Sequence, residues 1–385
     1  MNLKILATFI LAVITFNGIS YAKDPESVRI AVMQNANNVR FHTTDNMIKV
    51  IEGNGKKHKI TKNTSFVIRE ENGMVNMSGN MLVSPVYFSV VKKKGNIEIN
   101  GKKFIGDIKV NVSSSGKLDI IEVLPMEKYL MGVIRREMSP KWPLEALKAQ
   151  AVAARSYAYA NLRPTQPYDL TADVRSQVYA GIENPEENVV KAVEKTENIV
   201  LKDDDKVLIA YFHSHCGGMT ETPDNVWENY RTKRVPVPSP FKKPVEDKYC
   251  AKAAPAEHKS WSISIPYSTI LSLAKKKNSK VKKVSKLAKI NKDKSGRAIS
   301  INATTNTKTV KIDVKELREA VGATKFKSSF ITGISRNKSG WTIKGKGYGH
   351  GVGMCQWGAK AMADSDKDYK QILKHYYPGA KIEKY

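Results

Sequence analysis

From Val28 to about Val123 the chain alternates apolar and polar residues in short stretches, broken at Gly53-Asn54-Gly55, Glu71-Asn72-Gly73 and Ser115-Gly116. Ile97-Glu98-Ile99 and Ile108-Lys109-Val110-Asn111-Val112 repeat with period two, the mark of strands with one buried face. The expectation is a β-rich region with no cluster of catalytic residue types, hence a scaffold or substrate platform. The period changes at Pro125. Two helices are predicted, Pro125 to Met138 and Pro143 to about Leu162, each with proline in its first turn, where a missing N–H costs nothing. The second is rich in alanine, the best helix former. A further helix is expected from Glu186 to Thr196, then an apolar strand from Val207 to Phe212 that runs into His213-Ser214-His215-Cys216-Gly217-Gly218. The Pro-rich run Arg234 to Pro244 reads as a surface excursion. Beyond Trp261 strand and helix patterns mix, and a Gly-rich segment at Gly345 to Gly353 precedes a final helix. The fold class expected is α+β: a β-rich N-terminal region over 23–120, then a mixed α/β core over 121–385 with a Lys-rich insertion around 271–295.

The first residues follow another pattern. Lys4 precedes the apolar run Ile5 to Phe16, and Ser20-Tyr21-Ala22 precedes Lys23-Asp24. A short basic start, a brief hydrophobic run and a small-x-Ala site describe a secretory signal peptide over 1–22. The run is too short for a comfortable membrane span. Export to the periplasm or cell wall is therefore expected, with the protein peripheral to the envelope. The charge is strongly basic, 64 Lys and Arg against 37 Asp and Glu, net +27. Nucleic acid is the usual partner for such a balance, but export argues against it. The stretch Lys275 to Lys294 also lacks any aromatic residue for base stacking. Cell wall, a carboxylate- and phosphate-bearing polyanion, is the partner that fits; a solvated loop or helix face is the plain alternative.

On a helical wheel of about 100° per residue, Leu130, Val133 and Ile134 share one face with Tyr129 beside them. Glu137 follows Ile134 by three residues, Val133 by four and Leu130 by seven, so it falls in the apolar stripe, away from Lys128 and Arg135. Burial disfavours a carboxylate, and so does the negative end of a helix dipole. A raised pKa is what a general acid needs near neutral pH. The alternative is a helix-end glutamate reaching solvent or pairing with Arg136 or Lys141. On the next helix Lys148 and Arg155 share a face, suited either to substrate oxygens or to ordinary ion pairs, with Glu145 or an acid from elsewhere.

Several longer blocks are specific. Leu124-Pro125-Met126-Glu127-Lys128-Tyr129-Leu130-Met131-Gly132-Val133, then Arg136-Glu137-Met138, then the run from Trp142 to Tyr157 resemble the core signature of the SpoIID (stage II sporulation protein D) family of peptidoglycan lytic transglycosylases. The blocks Ser176 to Gly181, Phe212 to Thr220, Gly347 to Ala359 and Ile372 to Gly379 agree in order. The resemblance implies cleavage of glycan strands between N-acetylmuramic acid and N-acetylglucosamine without water, leaving a 1,6-anhydro-muramoyl end. Denuded glycan, stripped of its stem peptides by an amidase, is the implied substrate, and Glu137 occupies the family's catalytic-acid position. One acid suffices where the muramic C6 hydroxyl is a tethered nucleophile, whereas hydrolytic glycosidases generally need two carboxylates.

With the resemblance in view, Gln177, Tyr179, His213, His350 and Gln356 join Lys148 and Arg155 as candidate substrate-binding residues, each with a structural role as the alternative. No cofactor is required. Some family members are zinc proteins with varying ligands, and Cys216, Cys250 and Cys355 with His213, His215 or His350 would make a tetrahedral set for a structural zinc. A Cys216–Cys250 disulfide and unpaired thiols fit the odd cysteine count equally. Ala363-Asp364-Ser365-Asp366 replaces a glycine turn of many relatives, and Arg135 carries no family role. Other relatives imply a second function, a non-catalytic enhancer or scaffold whose partner is a cell-wall amidase. A purely basic wall-binding module is a third reading.

Overall fold

The computed structural model describes residues 27–385 apart from 45–46, 92–94, 174 and 183; the signal-peptide segment 1–22 lies outside the described residues. The chain divides into two compact units at Pro125/Met126. Strands and helices are both plentiful, an α+β fold.

The first unit is built from alternating strands, as the period-two pattern requires. One sheet sets Ser27–Ala36, Leu118–Pro125, Asp107–Val112, Val86–Val90, Ile48–Ile51 and Lys57–Ile60 side by side, all antiparallel. The other orders Lys102–Phe104, Ile97–Ile99, Asn38–Thr43, Ser65–Glu71, Met74–Met77 and Asn80–Leu82. Phe41 and Phe66 of the second sheet meet Phe88 of the first, ring centroids 5.1 and 6.0 Å apart, and join the two apolar faces. Two carboxylates are buried where the chain turns. Glu52 accepts from the Val83 N–H and sits 2.6 Å from His58 Nε2, and Glu122 accepts from the N–H groups of Ile105 and Gly106. Both act on backbone donors that would otherwise be orphaned.

The second unit opens with helices α1 (Met126–Glu137) and α2 (Leu144–Ala160). Alanines on α2 let it be enclosed: Ala146, Ala149, Ala151, Ala153 and Ala154 are all fully buried. The helix Glu187–Glu194 follows. The apolar segment Val207 to Phe212 is not one strand. Lys206–Val207 pairs with Ile199–Asp203, and after a break Phe212–His213 pairs in parallel with Met354–Cys355. The chain changes partners there, which an unbroken apolar run conceals.

Residues 261–345 form a module around their own core. Trp261–Pro266, Gly340–Gly345 and Ile331–Arg336 make one sheet, Val284–Lys292, Ala298–Thr305 and Val310–Asp313 another. The helices Tyr267–Lys277 and Val314–Val321 supply Ile270, Leu273 and Leu317 to a core that includes Trp341, Phe326 and Ile301. The lysines of 275–294 therefore belong to the end of a helix and an edge strand of this module, and not to an insertion hanging from the core. The strand lysines Lys286, Lys289 and Lys292 are exposed while Val284 and Leu287 turn inward, three residues apart because the strand's register shifts between Val284 and Lys286. Among the described residues no helix is long and apolar enough to cross a membrane.

Candidate functional site

Tyr129, Leu130, Val133 and Ile134 are fully buried along α1, and Arg135 on the opposite face is exposed. Glu137 ends the helix in line with the buried stripe and is half-buried. Its Oε2 accepts from Gln356 Nε2 at 3.1 Å and its Oε1 from the Val178 N–H at 3.3 Å. Burial raises its pKa from the ordinary 4.5; these two hydrogen bonds oppose the rise without cancelling it. Neither Arg136 nor Lys141 is its partner in these hydrogen bonds.

The partners of Glu137 are themselves held. Gln356 is buried and also lies 3.5 Å from Gln150 Oε1, a buried amide on α2. Gln177 and Tyr179 flank Val178. The Tyr129 hydroxyl donates to Gln177 Oε1 (2.9 Å), and Gln177 Nε2 donates to the Ala154 carbonyl (3.2 Å). The Tyr179 ring packs 5.2 Å from Tyr129 and fills the space left by Gly132, where a Cβ would lie 2.4 Å from a ring carbon. Both side chains are almost wholly buried. They therefore aim the Val178 N–H at the acid, and the substrate contact expected of Gln177 is not available to an amide spent on the protein.

The helix cations also have partners. Arg155 is fully buried and grips Glu127 with both prongs of its guanidinium (2.7 and 2.6 Å) while donating to the Ile199 carbonyl at 3.0 Å. It ties α1, α2 and the strand Ile199–Asp203 together, which corrects the expectation of substrate contact. Lys148 Nζ lies 2.5 Å from Glu145 and 5.7 Å from the centre of the Tyr369 ring.

The parallel pairing of Phe212–His213 with Met354–Cys355 brings the two glycine-rich loops into contact. His213 Nδ1 donates to the Val352 carbonyl (3.1 Å), which requires the proton on Nδ1; Nε2 is buried with no partner among the described residues. His350 Nδ1 accepts from the Val352 N–H at 3.0 Å, and its ring lies 5.5 Å from that of His213. Burial lowers the pKa of His213 and pushes His350 down to about 4, so both are neutral at neutral pH. His350, Tyr211, Trp227, Glu221 and Arg175 line a cavity of about 560 Å³. Glu137 is not on its wall, although Ser176, two residues before Val178, is.

Sequence reasoning missed three residues near these loops. Gln150 was signalled only by being a long polar side chain inside an alanine run. Arg297 is buried and donates to the carbonyls of Cys216 (2.5 Å) and Met219 (2.7 Å), holding the first loop from the neighbouring module. Gly351 leaves the room for it: a Cβ there would meet the guanidinium at 2.6 Å. Glu221 is pushed up to about 7, by burial first and by Asp293 second, although Asn225 and the Thr222 N–H donate to it.

The three cysteines are free and buried, so the Cys216–Cys250 disulfide is not formed; their sulfurs lie 3.4 Å apart. Cys216, Cys250 and Cys355 converge with Asp247, and their ligand atoms all lie within 4.8 Å of one another. The fourth member of the cluster is this carboxylate and not His213, whose ring is turned to Val352.

Comparison with known proteins adds a second line of observation. A family model described as stage II sporulation protein (SpoIID) matches residues 114–202, and one described as a domain of unknown function (DUF8618) matches 255–353. An uncharacterized protein of Brachyspira hyodysenteriae is 33% identical over 299 residues, 77% of this chain and 76% of the relative. The amidase enhancer of Bacillus subtilis is 34% identical over 293 residues, 66% of this chain but 40% of the relative's length. Stage II sporulation protein D of Bacillus subtilis is 28% identical over 279 residues, 68% and 75% of the two chains.

Proposed function

We propose, for a chain that belongs to the SpoIID family, that it is a peptidoglycan lytic transglycosylase with Glu137 as its single acid/base. The observation that carries this reading is the half-buried carboxyl at the end of α1, its pKa raised by burial while two neutral donors fix its direction. In the reaction, protonated Glu137 gives its proton to the glycosidic oxygen as the bond from the muramic C1 breaks. The C6 hydroxyl of the same sugar closes on C1, and its proton passes to the Glu137 carboxylate. The acid is restored and no water is consumed. A tethered hydroxyl has the advantage of proximity, which removes the need for the second carboxylate of a hydrolase. The preferred substrate is denuded glycan. The signal-peptide pattern over 1–22 supports export, and the net charge of +27 supports retention at an anionic wall.

A second reading is favoured by one observation, the match to a relative named amidase enhancer. In it the chain binds the wall and promotes a cell-wall amidase without cutting glycan. Mass spectrometry of amidase-treated peptidoglycan after incubation with wild type or Glu137→Gln separates the two. Anhydro-muramoyl products from wild type alone support the transglycosylase. Binding by both proteins with cleavage by neither sinks it and leaves the enhancer.

A further inference from the structure

We propose that Cys216, Cys250, Cys355 and Asp247 bind one zinc ion that clamps the two glycine-rich loops and the start of the helix Gln356–Ala363. The ligand atoms lie within 4.8 Å of one another in a buried pocket. A tetrahedral zinc with Zn–S bonds of about 2.3 Å spaces its sulfurs about 3.8 Å apart, so small side-chain adjustments admit the ion.

The backbone is arranged for thiolates. Cys355 Sγ accepts from the N–H groups of Cys216 (3.3 Å) and Gly358 (3.4 Å), and Cys216 Sγ accepts from the Gly218 N–H (3.3 Å). A neutral thiol is a weak acceptor, whereas such N–H···S bonds stabilise sulfur that carries charge beside a metal. The loop can turn its N–H groups inward because Gly217 and Gly218 adopt φ of +75° and +101°. Asp247 is oriented in the same manner. Its Oδ1 accepts from the N–H groups of Tyr249 and Cys250, both at 2.9 Å, and its Oδ2 accepts from the Tyr376 hydroxyl at 2.8 Å. Gly358 keeps this corner open, since a Cβ there would lie 1.9 Å from the Tyr376 oxygen and 2.3 Å from Asp247 Oδ2.

Two further groups suit a metal centre. His215 is buried beside Cys250, and neither ring nitrogen has a well-formed hydrogen bond among the described residues. The Arg297 guanidinium on the Cys216 carbonyl places positive charge next to a set that, with three thiolates, one carboxylate and Zn²⁺, carries two negative charges. Three sulfur ligands exclude calcium and magnesium, which take oxygen. All four positions are filled by the protein, so the ion is structural. Cys355 caps the helix whose first residue is Gln356, the donor to Glu137. That link to catalysis rests on the proposed function; the metal itself does not.

The test uses the full chain, purified without chelator from zinc-replete medium. Elemental analysis and native mass spectrometry should find one zinc per chain, with all three thiols protected from alkylation until a strong chelator or denaturant releases the metal. Zinc-edge absorption should show three sulfurs and one oxygen. Asp247→Asn should weaken zinc binding by at least the about 10- to 100-fold that loss of a mere hydrogen-bond partner of a ligand costs, and Cys250→Ser should lower metal content further. A folded wild type holding less than about a tenth of an equivalent of zinc overturns the proposal, as does a Cys216–Cys250 disulfide in that protein. A shell completed by an imidazole overturns Asp247 as the fourth ligand. Zinc content is read without any glycan, so its failure and the failure of the transglycosylase reading are distinguishable.

Discussion

The two parts of the molecule that meet at Glu137 are built by opposite means. α1 and α2 stand on apolar burial along continuous helices, joined by one enclosed ion pair between residues 28 apart in sequence. The glycine-rich loops stand on polar contacts between distant segments: Cys216 N–H to Cys355 Sγ spans 139 residues, and Gln356 to Glu137 spans 219. The helices place the acid, and Gln356 beyond the second loop supplies one of its two hydrogen bonds, the Val178 N–H the other. Removing a side chain from the helical part should therefore cost chemistry or stability outright, whereas removing a donor from the loop part should retune the acid. Adding a group should harm the loops more, because their left-handed glycines cannot adjust.

The sharpest break is Glu137→Gln. Turnover of denuded glycan should fall by at least about 10²-fold, the usual contribution of a general acid, while glycan binding and the unfolding transition stay in place. Retained turnover would mean that the helical part carries no catalytic acid. Next comes the ion pair. Arg155→Met leaves Glu127 without its partner; a wholly buried pair would lose about 3–5 kcal/mol, and because the Glu127 side chain is 22% exposed the loss should lie at or below the lower end. Chemical denaturation should record that loss, with glycan cleavage per folded molecule nearly unchanged; a selective loss of substrate affinity would return Arg155 to the cleft.

The two parts can then be compared glycine for glycine. Gly351→Ala in the loop meets the Arg297 guanidinium at 2.6 Å and must hold φ near +90°, for an expected cost of about 2–4 kcal/mol. Gly132→Ala in the helix meets a Tyr179 ring carbon at 2.4 Å, but the gain of about 1 kcal/mol in helix propensity offsets part of the strain. The loop variant should unfold at lower denaturant, and the reverse order would contradict the contrast drawn between the parts.

The smallest effects lie in pH. Because burial raises the pKa of Glu137, cleavage should decline as pH rises through that raised value. Stability has the same sign. The folded state holds this proton more tightly than the unfolded one, so the contribution is complete below the ordinary pKa of 4.5 and lost as pH rises through the folded value. Gln356→Ala removes a donor that favours the carboxylate, so its alkaline limb should move to higher pH and its rate should drop modestly. A pH profile that stays put would leave Gln356 a packing residue.

Much of this is legible in the sequence. The helical wheel sets Glu137 in the apolar stripe, and α1 and α2 end within a residue or two of where proline and periodicity put them. Helices and alternating strands are written in local spacing, and local spacing is what a sequence displays. The residues around the acid were less legible. The Gln177 amide is spent inside the protein, the Tyr179 ring is packed against Tyr129, and Arg155 is an internal brace. Whether a polar group faces a substrate or another part of the chain depends on what packs over it.

By itself, then, the sequence determined the α+β class, the family, the helix that bears Glu137 and the basic charge of the whole. Only the tertiary structure decided that Gln356 and Val178 hold the acid, that Asp247 and not His213 completes the cysteine cluster, that Arg297 braces the first loop, and that the lysines of 275–294 belong to a folded module. The physical reason is distance along the chain. Periodicity encodes which side of an element is buried, but contacts across 100 residues or more, such as the 139 that separate Cys216 from Cys355, are selected by packing and by the need to satisfy every buried polar group at once.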